Sequence, residues 1–477
     1  MTVEWRKTPD DHVIVVLGAT GDLAKKKLLP ALFHLHMEGL MPKRYAIIGT
    51  SKDAMTDDEF REFARKAVDD PPKSKEGQWD DFSARLSYVA GEFGPEDYRT
   101  LGDAVRKAEA DVGGDPCRLF YLAVPPPAFG PITEGIGAAG LKERARVVYE
   151  KPFGWDMDSF RTLNKIVQRV LDEDQVYRID HFLGKETVQN ILAFRFANGM
   201  FEPIWNRDHI DHVQIDVPED IGIGSRGGFY EKTGAFRDMI VTHLFQVLSF
   251  VAMEPPYTLG ERALLDEKSK VFESMVPLEP NDLVFGQYEG YRKEKGVAAD
   301  SQTETFAAAK VTVDNWRWSG VPFYLRTGKR MAEKRWAVTL AFREPPKQMF
   351  REVEVQGRSR NHMTMEMGPN EGISVSFLAK IPGPSIELGP AHMDFRYAGS
   401  FGSELIEAYE RLIHDALIGD RTLFTRCDGV ERVWELVEKV IDNPPTPYPY
   451  KQGSWGPKEA DKLIAPRVWH LPEGDAP

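Results

Sequence analysis

Two short stretches of the 477-residue sequence hold residue types that do chemistry together. The first reads Arg178-Ile179-Asp180-His181-Phe182-Leu183-Gly184-Lys185-Glu186. His181 and Lys185 stand four apart, so on a helix they project from one face. Two cations facing one way at a strand-to-helix junction suit a phosphate, although an ordinary surface His and Lys would show the same spacing. The second stretch reads Arg237-Asp238-Met239-Ile240-Val241-Thr242-His243-Leu244-Phe245. His243 lies among apolar residues, where a histidine is more often part of a packed core. Given a carboxylate partner, it becomes a general base, because the carboxylate orients the ring and stabilises its protonated form. Asp180 and Asp238 are both candidates for that partner, and spacing does not choose between them.

A third stretch, Gly18-Ala19-Thr20-Gly21-Asp22-Leu23-Ala24, follows an apolar run and opens a helical pattern. Glycine lets backbone approach a pyrophosphate closely, and a helix start offers free N–H groups and a positive dipole end. The spacing is not the usual G-x-G-x-x-G, and a two-glycine turn is also an ordinary strand–helix connection. Its place at the first strand of an alternating domain points to a dinucleotide. The second strand ends in Gly49-Thr50-Ser51-Lys52, with no acid before Asp53. NAD sites usually put an acid here for the ribose hydroxyls, whereas NADP sites supply a cation for the 2′-phosphate. Lys52 therefore favours NADP, unless it is simply a solvated loop lysine. Glu150-Lys151-Pro152 closes a later strand on the sheet edge where doubly wound folds bind ligands. Lys329 and Lys334 follow a strand ending at Leu325 and could reach the same cleft, although surface lysine is the ordinary reading.

These residues need elements to hold them. Apolar runs at 13–17, 45–48, 88–90, 118–124, 146–149 and 176–179 alternate with helical patterns. Such alternation implies a parallel sheet covered on both faces. Right-handed crossovers then give an α/β, Rossmann-like, doubly wound domain over residues 1–177. Thr56 with Glu59 three residues on is a capping-box helix start. Beyond 178 the pattern changes. Val213, Ile215 and Val217 alternate with polar residues, as do stretches within 310–314, 337–342, 373–378 and 392–397. Helical patterns interrupt them at 235–252, 403–418 and 428–441. Residues 178–477 therefore form an α+β domain with a large, mainly antiparallel sheet.

Composition bounds the partners. A charge of −13 argues against a nucleic-acid surface, since binding that backbone needs clustered Lys and Arg. Two cysteines far apart, Cys117 and Cys427, suggest a reducing compartment and no disulfide framework. No uninterrupted apolar run reaches the ~18 residues of a membrane span, and the polar start lacks a signal peptide's apolar region. The expectation is a soluble cytoplasmic enzyme with no membrane or nucleic-acid partner.

Taken together, Gly18 to Ala24, Glu150-Lys151-Pro152-Phe153-Gly154, Arg178 to Glu186, Arg237 to His243, Gly328-Lys329 and Gly453-Ser454-Trp455-Gly456-Pro457 resemble, in order and spacing, the glucose-6-phosphate dehydrogenase family. The resemblance covers nearly the whole chain, and D-H-x-L-G-K-E is its most specific element. It implies NADP-linked oxidation of C1 of glucose 6-phosphate to the 6-phosphogluconolactone, the first step of the oxidative pentose phosphate pathway. It implies that His243 is the base for the C1 hydroxyl and that Asp180 pairs with it. Asp238 and Glu219 would bind sugar hydroxyls, and His181 and Lys185 the 6-phosphate. Lys151 would lie between coenzyme and sugar, with Lys329 and Lys334 closing the substrate site. The coenzyme would rest on Gly18, Ala19, Thr20, Gly21, Asp22, Leu23 and Ala24, with Lys52 near its 2′-phosphate. No metal is required, because the nicotinamide is the electron acceptor. The family also implies a homodimer or homotetramer assembled through the large sheet.

Three departures matter. Phe182 stands where the family commonly has Tyr, which removes a hydroxyl donor to phosphate. Lys52 stands where Arg is common, which weakens bidentate recognition of the 2′-phosphate and leaves room for some NAD use. Animal members hold a second, structural NADP through basic positions that are Thr339 and Glu366 here. A sugar oxidoreductase of the glucose–fructose oxidoreductase type is the competing enzyme reading. It shares the Glu-Lys-Pro motif, but a neutral sugar needs no His181/Lys185 clamp. A nucleotide-sensing module without turnover would leave His243 and Asp180 idle.

Overall fold

All six residues of His12–Leu17 are buried, the pattern of a strand covered on both faces rather than half-exposed. This strand, β1, lies within a six-stranded sheet in the computed structural model of the chain, which describes residues 8–68, 76–91, 93–94, 98–347, 349–350, 361–401 and 406–470. Its companions are β2 (Tyr45–Ser51), β3 (Leu86–Ala90), β4 (Cys117–Leu122), β5 (Ala145–Tyr149) and β6 (Val176–Arg178). The order is β3-β2-β1-β4-β5-β6, and every neighbouring pair is parallel. This is the Rossmann arrangement. It opens a crevice at the carboxyl ends of β1 and β4, where the strand order reverses. The capping box forms as expected: Thr56 N–H donates to Glu59 at 2.8 Å and Glu59 N–H to Thr56 Oγ1 at 3.2 Å.

The sheet belongs to a compact unit made of Met1–Lys185, Tyr257–Leu265 and Ile406–Glu431. The chain thus returns to its Rossmann portion twice. In the last return, the helix Ala408–Ile418 packs on Leu29–Met37, where Glu410 meets His34 Nδ1 at 2.8 Å. Arg146 on β5 donates to the carbonyls of Ala416 and Leu417, at a helix end where no N–H stands four residues on to take them. The helix expected over 403–418 is therefore Ala408–Ile418; residues 403–405 lie outside the described residues.

The second unit comprises Glu186–Pro256, Asp266–Leu405 and Arg432–Pro477. Its nine strands are β7 (Ile210–Pro218), β8 (Leu283–Tyr288), β9 (Phe306–Thr312), β10 (Pro322–Gly328), β11 (Trp336–Phe342), β12 (His362–Gly368), β13 (Gly372–Lys380), β14 (Leu388–Arg396) and β15 (Tyr448–Tyr450). They are ordered β14-β13-β12-β11-β7-β10-β9-β8-β15. All pairings are antiparallel except β7 with β10 and β8 with β15. The alternating stretches of the sequence fall on β7, β9, β11, β13 and β14.

One helical run of this unit, Gly227–Ala252, is long and apolar enough by average composition to cross a bilayer, although no uninterrupted apolar stretch announces it. Its most apolar window is 89% buried inside the protein, so it is a core helix. It breaks at Gly234, whose φ of +61° only glycine adopts at little cost. It is then π-helical over Phe236–Leu244 and α-helical over Phe245–Ala252.

Candidate active site

In the first unit, the Gly18 turn is shaped for a backbone-close ligand. Gly18 has φ +84°, and a Cβ there would stand 2.3 Å from the Ala123 carbonyl oxygen. The N–H groups of Gly18 and Ala19 both donate to the Thr50 carbonyl, at 2.8 and 3.0 Å, which ties the turn to the end of β2. The helix that follows starts at Asp22 and has a π-helical turn at Ala24–Leu28. A cradle that excludes side chains, set before a helix start at the sheet's switch point, fits a dinucleotide pyrophosphate.

At the end of β2 the structure corrects the sequence expectation. Asp53 is two residues past Ser51, yet its carboxylate folds back onto the strand end. It accepts from Thr20 Oγ1 at 2.8 Å and from Ser51 Oγ at 3.3 Å. A negative charge therefore shares this region with the exposed Lys52. Its own hydrogen bonds to the Thr20 and Ser51 hydroxyls bring it there.

Just past β5, the buried Glu150 accepts from Tyr121 of the neighbouring β4 at 2.6 Å. Burial pushes the Glu150 carboxyl up to about 7, against the Tyr121 bond and the charge of Lys151, which lower it. Lys151 emerges just beyond, half-buried, at the carboxyl edge of the sheet.

After β6, the expected helix face is not formed. Residues 181–184 are turns and 185 a bend, and the helix is Glu186–Phe196. The cause is local. Asp180 accepts the Phe182 N–H with its side chain at 2.9 Å and the Leu183 N–H with its carbonyl at 3.0 Å. These bonds offer the backbone a tight turn in place of a helical start. His181 and Lys185 come together all the same, around Phe182. The rings of His181 and Phe182 lie 4.9 Å apart, and Lys185 Nζ stands 5.2 Å from the Phe182 ring centre. Tyr409 lies parallel to His181 at 6.3 Å. Upstream, the buried Arg178 anchors the segment with bonds to Glu173 at 2.6 and 3.0 Å and to Asn164 at 3.1 Å.

In the second unit, the parallel neighbours β7 and β10 are in register at Pro218 and Gly328, so Glu219 and Lys329 leave the sheet side by side. They form an ion pair, and Glu219 N–H donates to the Gly328 carbonyl at 2.9 Å. The Tyr450 hydroxyl holds the Lys329 carbonyl at 2.6 Å. Lys334 is exposed in the loop before β11 and joins no hydrogen bond or ion pair among the described residues.

Asp238 and the fully buried His243 both lie on the π-helical segment Phe236–Leu244. Spacing of five puts residues on different faces of an α-helix. The i→i+5 bonding of a π-helix turns them toward one side. Two residues went unnoticed in the sequence. Tyr230 is buried, its hydroxyl has no hydrogen-bond partner among the described residues, and burial near Asp238, Glu304 and Glu219 keeps it firmly protonated. Glu304 is buried too, with its carboxyl pushed up to about 7 by that burial. Neither stood in a recognisable motif.

The family model described as "Glucose-6-phosphate dehydrogenase, NAD binding domain" matches residues 15–190, and "Glucose-6-phosphate dehydrogenase, C-terminal domain" matches 192–470. The sequence is 40% identical over 485 residues to the glucose-6-phosphate 1-dehydrogenase of Aggregatibacter actinomycetemcomitans, covering 97% of each chain. Among solved structures, it is similar to glucose-6-phosphate 1-dehydrogenase from Mycobacterium avium (TM-score 0.87, 39% identity, 98% of this chain and 99% of that one). It is also similar to a glucose-6-phosphate dehydrogenase in complex with its substrate glucose-6-phosphate (TM-score 0.90, 33% identity, 98% and 99% coverage).

Proposed function

This chain belongs to the glucose-6-phosphate dehydrogenase family and oxidises glucose 6-phosphate at C1 with NADP; from that premise we propose which residues do the work. When bound, NADP supplies the nicotinamide C4 that accepts the C1 hydride, giving the 6-phosphogluconolactone as the oxidative pentose phosphate pathway begins. The Gly18–Ala24 turn, with Lys52, binds the coenzyme. His243 removes the C1 hydroxyl proton, and Asp180 is the carboxylate that orients it. Asp238 and Glu219 accept from sugar hydroxyls, with Lys329 held beside Glu219. His181 and Lys185 take the phosphate, and Lys151 stands between coenzyme and sugar. Lys334 reaches in from its exposed loop.

The observation that carries this reading is the π-helical segment, which aims Asp238 and His243 to one side of a buried helix. That arrangement suits a base and a hydroxyl-binding carboxylate acting on one sugar. We place residues 1–177 in coenzyme binding and 178–477 in substrate binding and self-association. A homodimer or homotetramer in the cytoplasm is consistent with the free Cys117 and Cys427, and with the outermost strands of the large sheet, where Met393 is 60% exposed.

The test separates phosphate from sugar. Lys185→Ala should raise KM for glucose 6-phosphate at least about tenfold, as loss of one charge-assisted contact does, and leave KM for glucose nearly unchanged. Equal weakening toward both sugars would remove Lys185 from the phosphate site.

A further inference from the structure

Glu304 is a buried carboxyl that the proposed chemistry does not use. It stands just before β9 and reaches the start of the helix that carries Asp238 and His243. Its Oε1 accepts the Phe236 N–H at 2.9 Å, and its backbone carbonyl accepts the Ala235 N–H at 3.0 Å. Phe236 is the first residue of the π-helical segment, so both bonds satisfy donors that a helix start leaves without intrahelical partners. A Cβ on Gly234 would lie 2.2 Å from Glu304 Oε1 and 2.5 Å from its carboxyl carbon. The carboxyl group therefore fills the space a side chain at 234 would take, directly over the break in the helical run. Arg237 and the Phe236 amide favour the ionised form, and burial opposes it. A neutral acceptor of the same shape should serve nearly as well.

We propose that Glu304 is a positioning residue for the dehydrogenase reaction: seated over Gly234 and bonded to Phe236 N–H, it sets where the π-helical segment begins and how that segment is rotated. It thereby aims Asp238 and His243. The proposal rests on His243 being the base.

The test uses the full-length enzyme and the variants Glu304→Gln, Glu304→Asp and Glu304→Ala, with His243→Asn alongside. Gln keeps the acceptor and the reach, whereas Asp keeps the charge but retracts it by one methylene. Glu304→Gln should retain kcat within about threefold, and Glu304→Asp and Glu304→Ala should lose about tenfold or more, since small misplacements of reacting groups are costly. Calorimetric NADP affinity should not change, because the Gly18 turn binds the coenzyme in the other unit. If Glu304→Ala does not fold, the Gln and Asp variants still decide. Wild-type kcat in Glu304→Asp, a Gln variant as impaired as Asp, or NADP binding lost in step with kcat would each overturn the proposal. Retained turnover in His243→Asn would instead strike the base assignment, whatever the Glu304 variants do.

Discussion

At the end of β2, the Asp53 carboxylate takes hydrogen bonds from Thr20 and Ser51 while Lys52 stands exposed beside it. Lysine is a point charge on a flexible stem and makes fewer directed phosphate contacts than arginine. An acid in this region suits the ribose hydroxyls of NAD and repels a 2′-phosphate. The two residues pull coenzyme choice in opposite directions, and we predict NADP preference with measurable NAD turnover. Lys52→Ala should lower kcat/KM for NADP and leave NAD nearly untouched. Asp53→Ser should raise the NADP-to-NAD ratio about fivefold, the worth of roughly 1 kcal/mol between like charges ~4 Å apart in water. Kinetics with both coenzymes in three proteins decide the matter. Equal losses toward both coenzymes in Lys52→Ala would take the only proposed cation away from the 2′-phosphate. The sequence showed Lys52 but hid Asp53's role, because the backbone turn that folds its side chain back has no signature in spacing.

Among the elements, the Rossmann strands were legible because burial on both faces forces continuous apolar runs, and β1 is the plainest case. β8 and β12 carry weaker alternation and emerge only through their pairing, whereas β10 was legible by its apolar end at Leu325 and runs three residues further, to Gly328. The Asp180–Lys185 turns and the π-helical segment were not legible. An Asx-type bond has no signature in spacing, and the helical run is buried nearly all round, so it has no one-sided apolar stripe in which an extra residue per turn would show as a change of phase. β1 also carries a pH dependence. His12 is fully buried, and burial pulls its pKa from 6.5 to about 4, with nearby Arg146 adding to the fall and the Asp10 carbonyl bond opposing it. The unfolded chain thus binds the proton more readily between those values. Its contribution to stability is intact above pH 6.5 and is lost as pH falls toward 4. At about 1.4 kcal/mol per pH unit, this is roughly 3 kcal/mol over the window. Between pH 8 and pH 5, the thermal midpoint of the apo-enzyme should fall less in His12→Asn than in wild type. Equal falls would place the acid sensitivity elsewhere.

For the molecule as a whole, the number of coenzymes per chain follows from the large sheet. The buried hydroxyl of Thr339 shares a hydrogen bond with Thr364 at 3.1 Å. The Glu366 carboxylate takes Arg335 at 3.0 Å and Arg396 at 3.3 Å. Neither position offers a cation to a second phosphate, so dialysed enzyme should bind one NADP per chain by calorimetry, and two tight sites would contradict this. We propose that the chain acts as a dehydrogenase through one base, His243, on its buried helix. The most direct measurement is the turnover of His243→Asn with NADP and glucose 6-phosphate, followed as reduced nicotinamide, with sugar phosphate binding measured on the same protein. Turnover should drop at least about a hundredfold, the usual worth of a general base, while glucose 6-phosphate still binds. A variant that keeps more than about a tenth of wild-type turnover, well above the range for loss of a general base, would contradict the account.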